Sequence, residues 1–140
     1  MKFIYILSFS LLFLNCNQIK TKNTSQGRKN TVMDSQGNFA HTVYFWLKNP
    51  ESNADRKAFE TSLKKFVSTS KYIVSKHIGV PAATTDRGVV DGTYTYSLLL
   101  TFKDKTTQDL YQDEPAHLLF LKESEDLWSK VIVYDSENIL

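Results

Sequence analysis

The sequence predicts an α+β fold of the ferredoxin-like type, a four-stranded antiparallel sheet with two helices on one face. Segments with strand-like alternation and segments with helical periodicity follow one another in the order βαββαβ. The first helix carries an apolar stripe of the kind that packs on a sheet. The first strand is apolar on both faces, so the face without helices needs a second layer or a partner chain.

The first predicted strand is Phe39–Leu47, whose side chains alternate between the two faces of the sheet. One face receives His41, Val43, Phe45 and Leu47. The other receives Thr42, Tyr44, Trp46 and Lys48. We expect the helices to cover the first of these faces.

The first helix follows Ser52, a residue type that caps helices, and Asp55 stands where a capping box has its acidic or amide residue. The helix is predicted to end near Thr69. Its apolar stripe consists of Phe59, Leu63, Phe66 and Val67, continued by Ser70.

Two further strands are predicted in the middle of the chain. Tyr72–Val80 alternates and contains several β-branched residues, and Thr93–Phe102 is the strongest strand pattern in the sequence. The glycine-containing segment 81–92 between them is predicted to be a loop.

A broken helix follows, because Pro115 lacks a backbone N–H and crowds the preceding turn. We predict one helix from Lys105 to Asp113 and a second from Pro115 to Ser124, since proline suits the first helical position. The break allows Tyr111 and His117, which lie on different turns, to face one place.

The last predicted strand is Trp128–Asp135, with Val131 and Val133 on one face. Its other face carries Lys130, Ile132 and Tyr134. Together with the first strand, this leaves an apolar patch on the open face of the sheet, formed by Tyr44, Trp46, Ile132 and Tyr134. A patch of this kind usually marks an interface, and two sheets related by a two-fold axis would cover each other.

The composition indicates one domain with a sizeable core, since 41% of the 140 residues are hydrophobic and 13% aromatic. The 17 basic and 15 acidic residues give a formal net charge of +2. This balance argues against a nucleic-acid-binding protein and against a broad membrane-binding face.

The N-terminus has the features of a secretory signal, with Lys2 before the apolar run Phe3–Leu14. This run is shorter than the about 20 residues that a membrane-spanning helix needs. Cys16, the single cysteine, follows at the position that resembles the lipidated residue of bacterial lipoproteins. We therefore predict a signal over residues 1–16, lipidation at Cys16 and a flexible polar tether over residues 17–38.

Two positions depart from the usual lipoprotein signal, which prefers leucine and a small residue where this chain has Phe13 and Asn15. An ordinary signal peptide or an uncleaved anchor remain alternatives. The lipoprotein interpretation predicts a domain held by lipid outside the cytoplasm, where nucleotide cofactors and coenzyme A thioesters are unlikely substrates.

The motif Tyr-x-x-x-Pro-x-His, from Tyr111 to His117 and followed by Phe120, resembles the end of a Dabb domain, the stress-responsive dimeric α+β barrel. The segments 41–48 and 127–135 also resemble strands of that family. The resemblance covers residues 39–136 and leaves 137–140 as a short tail. It implies a homodimer in which two sheets form a barrel.

In some relatives, among them a plant polyketide cyclase, the tyrosine and histidine of this motif form the catalytic pair, which implies such roles for Tyr111 and His117. An imidazole titrates near neutral pH and can remove a proton, while a phenol can donate to a developing oxyanion. The resemblance places His41 in the same pocket. The predicted ligand-binding residues are His41, Val43, Phe45, Phe120, Val131 and Val133. The Thr-His pair of many members is replaced here by Thr95 and Tyr96.

Other roles are open for the same residues. His117 could join the broken helix to the sheet, and Tyr111 could be an aromatic residue of the core.

The three histidines, His41, His77 and His117, show no metal-binding spacing, so we expect neither a metal nor a cofactor. Two hypotheses follow: a stress-associated module that binds a small apolar molecule, and an acid–base enzyme that uses Tyr111 and His117.

Overall fold

The computed structural model describes residues 37–140. The predicted signal, Cys16 and most of the predicted tether lie outside these residues. The elements are β1 (Phe39–Leu47), α1 (Asn53–Thr69), β2 (Ser75–Gly79), β3 (Tyr96–Phe102), α2 (Lys105–Gln112), α3 (Pro115–Ser124) and β4 (Trp128–Glu137).

The four strands form one antiparallel sheet in the order β2-β3-β1-β4. The predicted α+β, ferredoxin-like arrangement is therefore confirmed, with the broken helix present as two separate helices, α2 and α3. Among residues 37–140, no helix is long and apolar enough to cross a membrane.

The core lies between the sheet and the helices, where α1 contributes its predicted apolar stripe. Phe59, Leu63, Phe66 and Val67 are buried, whereas Ser70 is the C-terminal cap of the helix. The Phe66 ring stacks on that of Phe120 with centroids 5.2 Å apart, which packs α1 against α3. At the start of α1, the Ser52 side chain accepts a hydrogen bond from the Asp55 N–H, as the capping pattern predicted.

The third strand begins three residues later than predicted, because the residues before it make other contacts. The Trp46 indole donates to the Thr93 hydroxyl, and the Tyr94 ring packs edge-on to Tyr44 at 4.8 Å. The Thr95 hydroxyl accepts from the Leu47 N–H. The end of the β2–β3 connection thus covers part of the sheet face opposite the helices.

The second strand is also shorter than predicted and begins at Ser75 instead of Tyr72. Tyr72 and Ile73 are partly buried against the core, where they link α1 to the sheet. Regular pairing with β3 starts only at the bond from the Val74 N–H to the Thr101 carbonyl.

The two ends of the domain meet at the entry to β1. Gly37 has φ 72°, a conformation that favours glycine, and a Cβ there would lie 2.3 Å from the Phe102 carbonyl oxygen. The Asn138 N–H donates to the Asn38 carbonyl, and β4 continues two residues beyond the predicted Asp135.

The face of the sheet opposite the helices carries the predicted apolar patch. Tyr134 is 61% exposed, and its ring lies 6.2 Å from that of Tyr44. The Lys130 ammonium lies 4.2 Å from the centre of the Trp46 ring. In one copy of the chain Tyr134 is exposed, whereas Tyr44, Trp46 and Ile132 are partly buried.

Candidate functional site

A cavity of about 320 Å³ opens between the helix-facing side of the sheet and the broken helix. We call it the inner pocket. The structure brings together in its wall all eight residues that the sequence selected for the site: His41, Val43, Phe45, Tyr111, His117, Phe120, Val131 and Val133. The walls also include residues that were not selected, among them Leu98, Gln112, Trp128 and Asp135.

Strand alternation explains the sheet side of the pocket. His41, Val43 and Phe45 are buried side chains of β1 that face the helices. Across the ladder, Val133 pairs with Val43, and Val131 pairs with Phe45. Because β4 is an edge strand, Val131 and Val133 remain 36% and 46% exposed, and the pocket is reached past this edge.

The helix break explains the other side. After α2 the Glu114 N–H donates to the Tyr111 carbonyl, and Pro115 then starts α3. This turn places the rings of Tyr111 and His117 4.6 Å apart, with 31° between their planes. The break therefore brings the phenol and the imidazole to one place, as the sequence predicted.

His41 is held by a residue that the sequence analysis did not select. Its Nδ1 lies 2.6 Å from Oδ1 of Asp135 on the neighbouring strand. The imidazole is 7% exposed and the carboxylate 45% exposed. A carboxylate can only accept, so Nδ1 carries the proton and Nε2 is the unprotonated nitrogen whenever the imidazole is neutral.

His117 is held in one orientation by the backbone. Its Nδ1 lies 2.9 Å from the Gln112 carbonyl oxygen, which can only accept a hydrogen bond, so Nδ1–H donates. Burial lowers the pKa of His117, an effect that the bond to Gln112 opposes and the nearby His41 reinforces. Near neutral pH, His117 is therefore an uncharged imidazole whose Nε2 can accept a proton.

Tyr111 is 1% exposed and packs against Phe102 at 4.7 Å and against His41 at 5.7 Å. Burial raises the pKa of Tyr111, and the charges of Glu114 and Asp135 raise it further. Within residues 37–140, its hydroxyl makes no hydrogen bond. Tyr111 thus presents a protonated phenol that has a donor free for a bound molecule.

Asp135 could have been found from the sequence by continuing the alternation of β4, since residues 131, 133 and 135 share a face. Its pairing with His41 could not have been found from the sequence, because that pairing depends on the register of β4 against β1.

His77, the remaining histidine, is exposed on β2 and away from the pocket lining. In the described part of the chain, no three metal-ligating side chains lie close enough to hold an ion.

The inner pocket combines an apolar cavity with two polar atoms that have no hydrogen-bond partner within residues 37–140, the Tyr111 hydroxyl and His117 Nε2. Such a site can bind a small apolar molecule through one oxygen. With an uncharged imidazole beside a phenol, it also has the groups needed to move a proton next to a carbonyl.

Comparison with known proteins identifies a family. The family model described as the stress responsive A/B barrel domain, Dabb, matches residues 39–138. No curated protein matches the chain.

Several solved structures share the fold at low identity. A Dabb family protein with a ferredoxin-like fold from Mesorhizobium loti is 22% identical with a TM-score of 0.60, covering 74% of this chain and 99% of that one. A dimeric ferredoxin-like protein of unknown function from Thermobifida fusca is 17% identical with a TM-score of 0.58, covering 74% and 93%. A hydroxynitrile lyase from Passiflora edulis is 16% identical with a TM-score of 0.61, covering 74% and 94%.

Proposed function

The chain belongs to the Dabb family of stress-responsive A/B barrel domains, and from this premise we propose that it is a binding protein for a small apolar or aromatic molecule. The ligand enters the inner pocket and offers a carbonyl or hydroxyl group to Tyr111 and His117. We further propose that the protein is stress-associated, works as a homodimer and is tethered by a lipid on Cys16.

The observation that carries the binding proposal is the free polar pair inside an apolar cavity. The Tyr111 hydroxyl makes no hydrogen bond within residues 37–140, so its proton is available to a ligand oxygen in the cavity. The surrounding walls are aliphatic and aromatic, formed by Val43, Phe45 and Phe120 among others. A cavity of about 320 Å³ suits a molecule of one or two rings.

A fluorescence titration with 2-naphthol tests the binding proposal. This probe has a flat apolar body and one hydroxyl. His117→Ala should weaken its binding by about tenfold, the cost of one hydrogen bond in a buried site. His77→Ala, which changes an exposed histidine away from the pocket, is the matched control and should leave the affinity unchanged. Equal affinity for wild type and His117→Ala would contradict the assignment of the pocket.

A second candidate function is acid–base catalysis by proton transfer beside a carbonyl. This candidate is favoured because the two histidines are in different states. His41 is hydrogen-bonded to the Asp135 carboxylate, whereas burial lowers the pKa of His117 and so favours its uncharged form. His117 would remove the proton and the Tyr111 hydroxyl would donate to the enolate oxygen. The hydroxynitrile lyase from Passiflora edulis supports this candidate only to the extent that an enzyme has the same fold.

Exchange of the methyl protons of acetophenone in D₂O, followed by proton NMR, tests catalysis. The enzyme hypothesis predicts a rate above that of the buffer, and a rate that falls on acidification as His117 becomes protonated. The His117→Ala variant should exchange at the buffer rate. An exchange rate equal to that of the buffer for the wild type leaves binding without catalysis as the function.

Self-association is supported by two observations. Similar structures are described as dimeric, including one from Bacteroides fragilis. The aromatic surface around Tyr44 and Tyr134 is also the kind of face that a second sheet covers in a stable pair. Native mass spectrometry of the full chain reports the oligomeric state and any retained ligand together.

The tether and the location rest on the sequence of the N-terminus. Cys16→Ser should abolish incorporation of labelled fatty acid and release the protein from membranes of the expressing bacterium. Membrane association that survives this change would contradict lipidation, and with it the proposed extracytoplasmic anchoring at Cys16.

A further inference from the structure

Tyr111 and His117 offer a ligand in the inner pocket two polar atoms that are accessible. The Tyr111 hydroxyl and His117 Nε2 make no hydrogen bond in the described domain. The unpaired polar side-chain atoms that are sealed from solvent there are Glu114 Oε1 and Ser124 Oγ, and neither pocket atom is among them. Tyr111 is 1% exposed and lines the inner pocket, as His117 does, so the accessible area of its hydroxyl faces that cavity.

The two groups have opposite hydrogen-bonding roles. Burial raises the pKa of Tyr111, so its hydroxyl stays protonated and can donate. Burial lowers the pKa of His117, and its Nδ1–H donates to the Gln112 carbonyl, so Nε2 of the uncharged ring can only accept. The two rings lie 4.6 Å apart, which lets one polar group of a ligand contact both. The pair therefore fits a group that accepts one hydrogen bond and donates another.

The charges around the inner pocket disfavour an anionic ligand. None of the described residues that line it is a lysine or an arginine. The carboxylate in its wall is Asp135, and in either protonation state of His41 the His41–Asp135 pair carries no net positive charge. The charge of Glu114 adds to the effect of burial in raising the pKa of Tyr111, so a second carboxylate also acts on the site. An anion in this cavity would lose its hydration without gaining a cation.

Ketones, carboxylates and amines each satisfy only part of the site. A ketone accepts from Tyr111 but leaves His117 Nε2 without a donor, and an acceptor that loses its partner on ligand binding is costly. A carboxylate has the same defect and also carries a charge. An ammonium donates to His117 but cannot accept from Tyr111, and its charge is costly to bury among aliphatic and aromatic walls. A hydroxyl group both accepts and donates.

We propose that the inner pocket selects uncharged aromatic alcohols and phenols, whose hydroxyl oxygen accepts from Tyr111 and whose hydroxyl proton is donated to His117 Nε2. This selectivity rests on the proposed binding function and narrows its ligands from carbonyl or hydroxyl compounds to hydroxyl compounds. The rings of the ligand lie against the apolar walls, which include Val43, Phe45 and Phe120. A site arranged to hydrogen-bond a hydroxyl group rejects close analogues that lack it.

Three probes of nearly equal size test this selectivity: 1-(2-naphthyl)ethanol, 2-acetylnaphthalene and 2-naphthoate. Each joins naphthalene to a polar group with the same number of heavy atoms, but only the alcohol both donates and accepts. Methyl NMR of the full chain, labelled at leucine and valine, locates binding through Val43, Val131 and Val133. We expect the ketone to bind about tenfold more weakly than the alcohol, the value of one hydrogen bond, and the carboxylate more weakly still.

His117→Ala tests which atom accepts from the ligand. Without Nε2 the alcohol loses its advantage, so the ratio of alcohol affinity to ketone affinity should fall from about ten to about one. Tyr111→Phe keeps Nε2 and should weaken both probes, while the alcohol remains the tighter ligand. His77→Ala, which changes an exposed histidine outside the pocket lining, is the matched control and should keep the wild-type ratio. A ratio that stays near the wild-type value in His117→Ala would overturn the proposal.

The same titrations separate a failure of this selectivity from a failure of the binding function. Saturable shifts of the pocket valines with 2-naphthol, together with equal affinities for the alcohol and the ketone, would overturn the selectivity and leave binding intact. Binding of 2-naphthoate or of the cation 2-naphthylmethylamine as tightly as the alcohol would also overturn the selectivity. Pocket valines that shift with none of the probes would overturn both.

Circular dichroism and thermal unfolding establish that each variant is folded. If His117→Ala does not fold, His117→Leu replaces it, because leucine fills a similar volume and has no acceptor. The ratio of alcohol affinity to ketone affinity should fall to about one in His117→Leu as well. A wild-type ratio in His117→Leu would overturn the proposal.

Discussion

The imidazole Nδ1 of His41 and the carboxylate Oδ1 of Asp135 lie 2.6 Å apart, although 94 residues separate them in the sequence. The two residues are directly paired across β1 and β4. The pair fixes the His41 ring at the end of the inner pocket and holds a negative charge near Tyr111, whose pKa it helps to raise. Asp135 therefore orients the site from the edge strand.

Asp135→Ala, which leaves no acceptor for Nδ1–H, should release the His41 ring with little loss of stability. The carboxylate is 45% exposed, so solvent screens the pair and the free energy of unfolding should fall by less than about 1 kcal/mol. Imidazole ¹⁵N NMR should show a protected Nδ1 proton on His41 in the wild type and lose it in the variant. Asp126→Ala, which removes an exposed carboxylate before β4, is the control. An unprotonated Nδ1 in the neutral wild-type ring would contradict the described pairing.

The pH dependence of stability should report the burial of His117. Because burial lowers its pKa below the ordinary 6.5, the unfolded chain takes up a proton there before the folded chain does. The free energy of unfolding should therefore fall as the pH decreases below about 6.5 and level off below the folded pKa. Urea unfolding at several pH values measures this loss, which should be smaller in His117→Gln. Parallel curves for the two proteins would show that His117 is not the group responsible.

Two tyrosine-to-phenylalanine variants should distinguish a tyrosine that binds the ligand from one that stabilises the fold. Tyr111→Phe should change the free energy of unfolding by less than about 0.5 kcal/mol, because its hydroxyl makes no hydrogen bond in the described domain, yet it should weaken 2-naphthol binding. Tyr96→Phe should cost about 1 kcal/mol, because the Tyr96 hydroxyl donates to Glu60 at 2.8 Å. Burial and this bond raise the pKa of Tyr96 to about 12. Denaturant unfolding measures both variants, and a larger loss for Tyr111→Phe would favour a purely structural role.

Tyr134→Glu should weaken self-association without unfolding the chain. Tyr134 is 61% exposed on the open face, so a charge is tolerated in one copy but must be desolvated when a second sheet covers it. Sedimentation analysis should show a shift towards monomer. Lys57→Glu, a charge change on the exposed side of α1, should keep the wild-type assembly. A dimer that persists in Tyr134→Glu would place the interface elsewhere.

Local patterns in the sequence determined the elements that depend on local chemistry. The alternation over Phe39–Leu47 gave a strand with those bounds, and Pro115 divided the second helical segment where the structure divides it. Period two in strands and a missing N–H at proline act within a few residues, so these two elements could be predicted without knowledge of the rest of the fold. The family motif likewise led to Tyr111 and His117, whose side chains meet in the inner pocket.

Strand ends and site partners were decided by contacts between distant segments. Thr93 and Tyr94 have strand-like sequence, yet they contact Trp46 and Tyr44 on the open face of the sheet. As a result, β3 begins only at Tyr96. The Asp135 contact depends on a register that the whole sheet sets, and the burial of Glu114 depends on how α1 and the α2–α3 junction close around it. The sequence alone thus determined the order of the elements and which faces of β1 and α1 meet the core. Only the tertiary structure decided which carboxylates stand beside the site, because register and burial arise from packing between elements.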